Sequence, residues 1–335
     1  MTDTTNTRTA LLHAFLASYF NAPYTLESLA GDASFRRYHR VTCQDTTYLV
    51  MDAPPEKESV ASFLAVGDIL SPVVNVPAIL ARDTDNGFLL LQDFGTVEFA
   101  DLLDDGDNLA SYAQALHTLQ ALQTLPITDP AVNATLPHYS PAKLREEMQL
   151  FVDWFLPYVG LNIDDELWHT LTETLISDIS RQAQVVVHRD YHSRNLMDDK
   201  HSDRLGVIDF QDAVIGAYTY DVVSLLRDAY INVSEDWVTA QLQVAYAILG
   251  QDQGSFTDFV YDCNIMGVQR GLKVLGIFVR LAKRDGKKRY LANIPTVLRN
   301  LLTQLAYLQN DNDVYQRFYQ FLQDNASAIQ AKVGG

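Results

Sequence analysis

His188-Arg189-Asp190-Tyr191-His192-Ser193-Arg194-Asn195, followed by Ile208-Asp209-Phe210, is the stretch on which the reading of this chain turns. An Asp stands five residues before an Asn, and a second Asp closes an apolar run. Phosphoryl transfer uses that set of groups. One carboxylate orients or accepts the proton of the attacking hydroxyl, and an amide with a second carboxylate holds magnesium. Val185-Val186-Val187 reads as a buried strand that delivers the loop, so all three side chains can be aimed at one point. An isolated Asp after a strand usually caps its own loop; the spacing to Asn195 and the following Asp209 favours chemistry instead. Asp190 is therefore the candidate catalytic residue, and Asn195 and Asp209 are the candidate metal ligands, since magnesium prefers oxygen donors. His188 reads as a structural residue bonded to the loop backbone.

Outward from this loop, the two halves of the chain differ in period. Leu11, Leu12, Phe15, Leu16 and Tyr19 recur at helical spacing over 11–20. Residues 34–41 and 46–51 are short, β-branched and aromatic, and predict two antiparallel strands around Gln44-Asp45. A helix follows over 59–70, then strands over 76–81 and 88–92 around Asp85-Asn86-Gly87. From about residue 97 the pattern is helical, with helices expected near 107–124, 141–157, 164–182, 220–230, 234–249, 256–284, 290–309 and 312–331. Ser140-Pro141 is a cap and first-turn pair. These segments imply an α+β, bilobal protein-kinase-like fold: a small β-rich N-lobe over 1–93, which would bind nucleotide, and a larger, mostly helical C-lobe over 94–335 with the catalytic loop.

Asp93-Phe94-Gly95 resembles the metal-binding tripeptide of protein kinases, but there the tripeptide follows the catalytic loop. Here it precedes Asp190 by nearly a hundred residues, so it is rejected as a metal site. Its place at the crossing between lobes would let the Gln92 and Asp93 backbone face adenine. Gly31-Asp32-Ala33-Ser34-Phe35-Arg36-Arg37-Tyr38 could lay backbone N–H groups over phosphates. Ser34, Phe35, Arg36 and Arg37 therefore join the nucleotide candidates, with the two arginines alternating in direction along the strand. His192, Arg194, Asp212 and Arg227 are the candidates for contacting the acceptor. Thr219 reads as the cap of a helix on which Asp221 braces the catalytic loop, and Asp228 reads as a surface residue.

A net charge of −17 argues against a nucleic-acid or anionic-membrane surface. Cys43 and Cys263 are far apart and outside metal-ligand spacing, so no disulfide framework is expected. No run of about 18 apolar residues marks a membrane span, and the amino terminus makes a poor signal peptide. The expectation is a cytoplasmic enzyme of small molecules with no obligatory protein partner.

With these residues in place, the sequence resembles the aminoglycoside phosphotransferase/choline kinase-like family. Within that family it is similar to the bacterial kinases that phosphorylate N-acetylmuramate and N-acetylglucosamine at C1. The resemblance runs over nearly the whole chain. It is carried by 31–38, Val50-Met51-Asp52-Ala53-Pro54-Pro55, Asn75-Val76-Pro77, 87–91, 188–197, 206–213 and 220–228. It implies an ATP- and magnesium-dependent enzyme making sugar 1-phosphates in peptidoglycan recycling. It also implies a lysine on the third strand, yet Tyr48-Leu49-Val50-Met51-Asp52 has none; Arg36, Arg37 or Lys57 would have to supply the charge. Two other readings stand beside this one. The first is a phosphotransferase for another small hydroxyl, such as an aminoglycoside or a choline-like amine. The second is a non-catalytic nucleotide-binding pseudokinase, against which the intact Asp190, Asn195 and Asp209 weigh.

Overall fold

The structure is a computed structural model that describes residues 2–29, 36–103 and 109–333. In chain order the first elements are α1 (Thr2–Tyr19), β1 (Tyr24–Ser28), β2 (Arg37–Cys43), β3 (Thr46–Asp52), α2 (Ala61–Leu70), β4 (Ile79–Asp83) and β5 (Phe88–Gln92). Helices α3 (Leu109–Gln123), α4 (Pro130–Thr135), α5 (Pro141–Leu150), α6 (Leu156–Val159) and α7 (Asp165–Ser180) follow. Four short strands, β6 (Gln184–Val187), β7 (Leu196–Asp198), β8 (Leu205–Val207) and β9 (Val214–Ala217), carry the motif region. The remainder is α8 (Tyr220–Leu226), α9 (Glu235–Ala245), α10 (Phe256–Lys283), α11 (Ile294–Leu308), α12 (Asp313–Asp324) and α13 (Ala326–Val333). Among the described residues no helix is long and apolar enough to cross a membrane, and both cysteines are free.

The chain divides into two compact units. The first comprises 1–97 and 196–212, and the second comprises 98–195 and 213–335. The α+β expectation holds: a sheet dominates the first unit and helices the second.

In the first unit five antiparallel strands run in the order β1-β2-β3-β5-β4. Alternation puts Val41, Val50, Phe88 and Leu90 against Leu12, Phe15 and Leu16 of α1, and all seven are buried. Each such burial stabilises by about 1.5–3 kcal/mol before the entropy of ordering is subtracted. The β7–β8 hairpin also belongs to this unit, where the sequence boundary at 93/94 assigns it to the helical part. Its attachments explain the difference. Asn75 bridges Gly206, the Val207 N–H donates to the Asn75 carbonyl at 2.8 Å, and the Asp198 N–H donates to Val97 at 2.9 Å. The Phe210 ring packs on Phe63 of α2 with centroids 4.7 Å apart. Gly206 is required by the closeness of Phe94, since a Cβ would lie 2.5 Å from that ring.

In the second unit β6 pairs antiparallel with β9, joining Val187 to Val214. Helix α10 is its spine and packs against α5, α7, α8 and α11. A capping box starts α10: Ser255 accepts the Asp258 N–H, and the Ser255 N–H donates to Asp258. Gly276 allows α10 to approach α5, because a Cβ would meet the Leu150 backbone at 2.3 Å.

Several sequence expectations change. β1 is an addition to the expected strands: only Tyr24 and Leu26 of its five residues turn toward the core, too short an alternation to mark a strand by itself. Helix α1 begins at Thr2, because its polar first turns carry no apolar signal. The helix expected over 141–157 is interrupted by a π turn at Phe151–Phe155. That over 312–331 breaks where the Asn325 side chain donates to the Phe321 carbonyl. The helix expected over 220–230 stops at Leu226, with Arg227 as its terminal residue at φ −116° and ψ 37°. Thr219 makes no side-chain cap; its hydroxyl donates instead to Gln182 Oε1.

Candidate active site

β6 delivers the chain to His188, whose backbone N–H donates to Asp221 Oδ2 at 2.6 Å. The next N–H, of Arg189, donates to Asp221 Oδ1 at 3.0 Å. Asp221 lies in the first turn of α8 and is fully buried; burial pushes its carboxyl above the ordinary range. It braces the loop backbone as the sequence suggested. His188 is also buried, and its Nδ1 accepts the Asp190 N–H at 3.3 Å.

Arg189 has φ +77°, a conformation that non-glycine residues avoid. Its surroundings fix it there. Its Nη2 bonds Glu147 Oε1 at 2.5 Å, and its carbonyl accepts from Arg270 Nη1 at 3.2 Å. Glu147 is buried and also takes Lys273 Nζ at 3.1 Å and the Tyr139 hydroxyl, while Lys273 donates to the Tyr220 hydroxyl at 2.9 Å. The loop thus rests on a network of three cations, one carboxylate and two phenols, in which Lys273, Glu147, Tyr139 and Tyr220 are buried and the two arginines half-buried. Several contacts at once hold a strained backbone that one would not.

Asp190 is half-buried on this platform. Burial raises its pKa, but the nearby cations, Lys273 foremost with Arg270, outweigh that and hold the carboxyl below its ordinary value. It is therefore a carboxylate at neutral pH, as a proton-accepting group must be. The Asn195 amide donates through Nδ2 to the Asp190 carbonyl at 2.9 Å, so Oδ1 is the atom left to act as a metal ligand. That orientation fits a hard cation. The Ser193 N–H is held by Asp228 Oδ2 at 2.9 Å, and the other Asp228 oxygen accepts the Tyr230 N–H at 2.8 Å. Asp228 is buried, not a surface residue: the end of α8 at Leu226 turns it inward.

Of the acceptor candidates, His192 lies edge-on to Tyr230 with centroids 5.3 Å apart, and the exposed Arg194 guanidinium sits 3.8 Å over the same ring. Tyr230 thereby gathers these two beside Asn195. Arg227 pairs with Glu235 and lines a narrow cleft with Arg270, Asn300 and Gln304.

In the first unit, Asp209 is exposed at φ +61° and one oxygen accepts Gln211 Nε2 at 2.8 Å. Gln211 Nε2 also reaches the exposed Asp212 at 3.3 Å. Arg36 is buried, with Nε donating to Glu58 Oε1 at 2.6 Å. Arg37 faces the other way, is 55% exposed, and stands 4.0 Å from Asp52. The Gln92 side chain accepts the Ala78 N–H at 3.3 Å. Asp93 is buried and gripped by Arg40 at 2.8 and 3.2 Å and by the Gly95 N–H at 2.9 Å. Burial works against its charge, but those bonds hold its pKa below the ordinary carboxylate value. Ser34 and Phe35, with the rest of the loop from Gly31, lie outside the described residues.

Sequence reasoning missed Glu147, Lys273, Arg270, Arg40 and Glu58. Each acts through a partner distant in the chain, so no local spacing marks them.

The fold is kinase-like. The structure resembles Plasmodium vivax ethanolamine kinase with a TM-score of 0.62, over 88% of this chain and 93% of that one, at 11% identity. The chain belongs to the phosphotransferase enzyme family, whose family profile matches residues 25–254. Two relatives are both named N-acetylmuramate/N-acetylglucosamine kinase. The Pseudomonas aeruginosa protein is 41% identical over 294 residues, covering 85% of each chain. The Neisseria meningitidis protein is 39% identical over 297 residues, covering 84% of this chain and 86% of the relative. The chain is accordingly a phosphotransferase with a hydroxyl acceptor.

Proposed function

We propose that this chain transfers the γ-phosphoryl group of ATP to the anomeric C1 hydroxyl of N-acetylmuramate and N-acetylglucosamine, making sugar 1-phosphates for peptidoglycan recycling. The observation that carries the chemistry is the braced loop, in which Asp190 is held ionised and Asn195 presents its amide oxygen. The acceptor is taken from the names of the relatives. An anomeric hydroxyl is more acidic than an ordinary alcohol, so a carboxylate such as Asp190 suffices to orient it and take its proton. Asn195, through Oδ1, and Asp209 would hold magnesium, which when bound neutralises charge on the phosphates. Ser34, Phe35, Arg36, Arg37, Gln92 and Asp93 would contact the nucleotide. Arg194 and Arg227 suit the carboxylate that distinguishes N-acetylmuramate, since a guanidinium pairs with a carboxylate in two bonds; His192 and Asp212 complete the acceptor set.

The test is a panel of amino sugars, aminoglycosides and choline with purified protein, ATP and magnesium, followed by phosphorus NMR of the product. An acid-labile sugar 1-phosphate, absent when the metal is chelated, is expected. Phosphate at C6, or turnover only with an amine substrate, would overturn the acceptor assignment.

A further inference from the structure

Kinase-like enzymes place a lysine on the third strand, where it holds the nucleotide phosphates and is steadied by a glutamate on the neighbouring helix. In this chain the corresponding strand offers Met51, fully buried and apolar. The β2–β3 register sets Tyr38 opposite Met51, so their side chains share a face. The contact confirms it: the Tyr38 hydroxyl lies 3.4 Å from Met51 Sδ. Arg36 stands two residues before Tyr38, so strand alternation puts it on the same face, and the two interact electrostatically. Its Nε donates to Glu58, which lies just ahead of α2. Arg36 also feels the charge of Asp209. A cation, its steadying glutamate and the candidate metal carboxylate are thus gathered within the first unit. The alternatives are placed otherwise. Arg40 is spent on Asp93, Arg37 points to solvent beside Asp52, and Lys57 is exposed.

We propose that Arg36, steadied by Glu58, replaces the third-strand lysine as the clamp on the ATP phosphates, an inference that rests on the kinase reading above. A guanidinium has five N–H donors in a planar fork, so a carboxylate on Nε is compatible with phosphate oxygens on the others. An arginine is not deprotonated in a protein, so the guanidinium stays charged.

The experiment titrates AMP, ADP and ATP with magnesium into the full chain by calorimetry, alongside steady-state kinetics. Wild type that binds no ATP sinks the kinase reading itself. With wild type binding, Arg36→Met is expected to weaken ATP and ADP by about 10–100-fold while leaving AMP within about twofold. Adding Met51→Lys to Arg36→Met should recover part of the ATP affinity. Glu58→Gln, which keeps the shape of the pair, carries the same comparison should Arg36→Met fail to fold. Its ATP KM should rise with AMP affinity unchanged. Equal weakening of AMP and ATP would show a purely structural pair and overturn the clamp, as would unchanged ATP affinity in both variants.

Discussion

Asp221 holds the backbone at His188 and Arg189 with both of its carboxylate oxygens, at 2.6 and 3.0 Å, from the first turn of the next helix. This is a buried carboxylate spent on positioning. Asp221→Asn keeps the volume but offers an N–H where an acceptor is needed, so one buried backbone donor loses its partner. The expected cost is about 1–3 kcal/mol of stability, read as a lower urea midpoint. Activity should fall mainly in kcat, because the loop carrying Asp190 loosens while the nucleotide candidates on the sheet are untouched. A KM effect with unchanged kcat would contradict the bracing role.

The groups proposed for chemistry separate by how they fail. Asp190→Asn should lower kcat by about 10²–10⁴-fold while ATP binding persists. Asp209→Ala should abolish most turnover and raise the magnesium concentration needed for what remains. Magnesium titrations of the two variants distinguish these outcomes, and wild-type turnover in Asp209→Ala would refute its assignment as a metal ligand.

Asp228 supplies a sharper test, because the sequence and the structure disagree about it. A surface Asp changed to Ala shifts stability by no more than about 0.5 kcal/mol. The structure buries Asp228 and gives it the N–H groups of Ser193 and Tyr230. Asp228→Ala should therefore cost about 1–3 kcal/mol for each orphaned donor. It should also lower kcat, since Ser193 lies two residues before Asn195. Chemical denaturation and steady-state kinetics on one preparation decide it.

What was legible in the sequence was local. The loop from His188 to Asn195, the Ser140-Pro141 helix start and the strand over 46–51 all act within a few residues, so spacing and residue type reveal them. The Arg36 and Arg37 pair shows the boundary. Alternation predicts that they point apart, and they do, but only the pairing of Tyr38 with Met51 and the arrival of Glu58 show what Arg36 faces. The β7–β8 hairpin joins the sheet unit through Asn75, more than a hundred residues earlier in the chain. Asp228 was misread because a helix end one turn earlier than expected reverses the direction of its side chain. Comparable reasons hid Glu147, Lys273 and Arg270, which meet from α5 and α10 around a loop that neither helix precedes directly.

Glu147 makes that hidden network testable through pH. Among the described residues it is the carboxylate that forms ion pairs with both Arg189 and Lys273, and it is buried. Burial opposes its ionisation, yet Lys273 and Arg189, with the Tyr139 hydroxyl, outweigh burial and lower its pKa. Glu147→Gln leaves the buried Lys273 and the half-buried Arg189 without their ion-pair partner, and breaking a buried pair costs about 3–5 kcal/mol. A carboxyl whose folded pKa lies below its unfolded value adds stability that is fully present above the unfolded value, about 4.3 for Glu. That contribution is lost as pH falls through the lower, folded pKa. The gap between wild-type and Glu147→Gln unfolding free energies should therefore be constant from about pH 8 to 5 and narrow below about 4.3. Urea denaturation at a series of pH values measures it. A gap that widens in acid would mean that Glu147 is protonated in the native network, and that Arg189 is held in its left-handed conformation by something other than this charge.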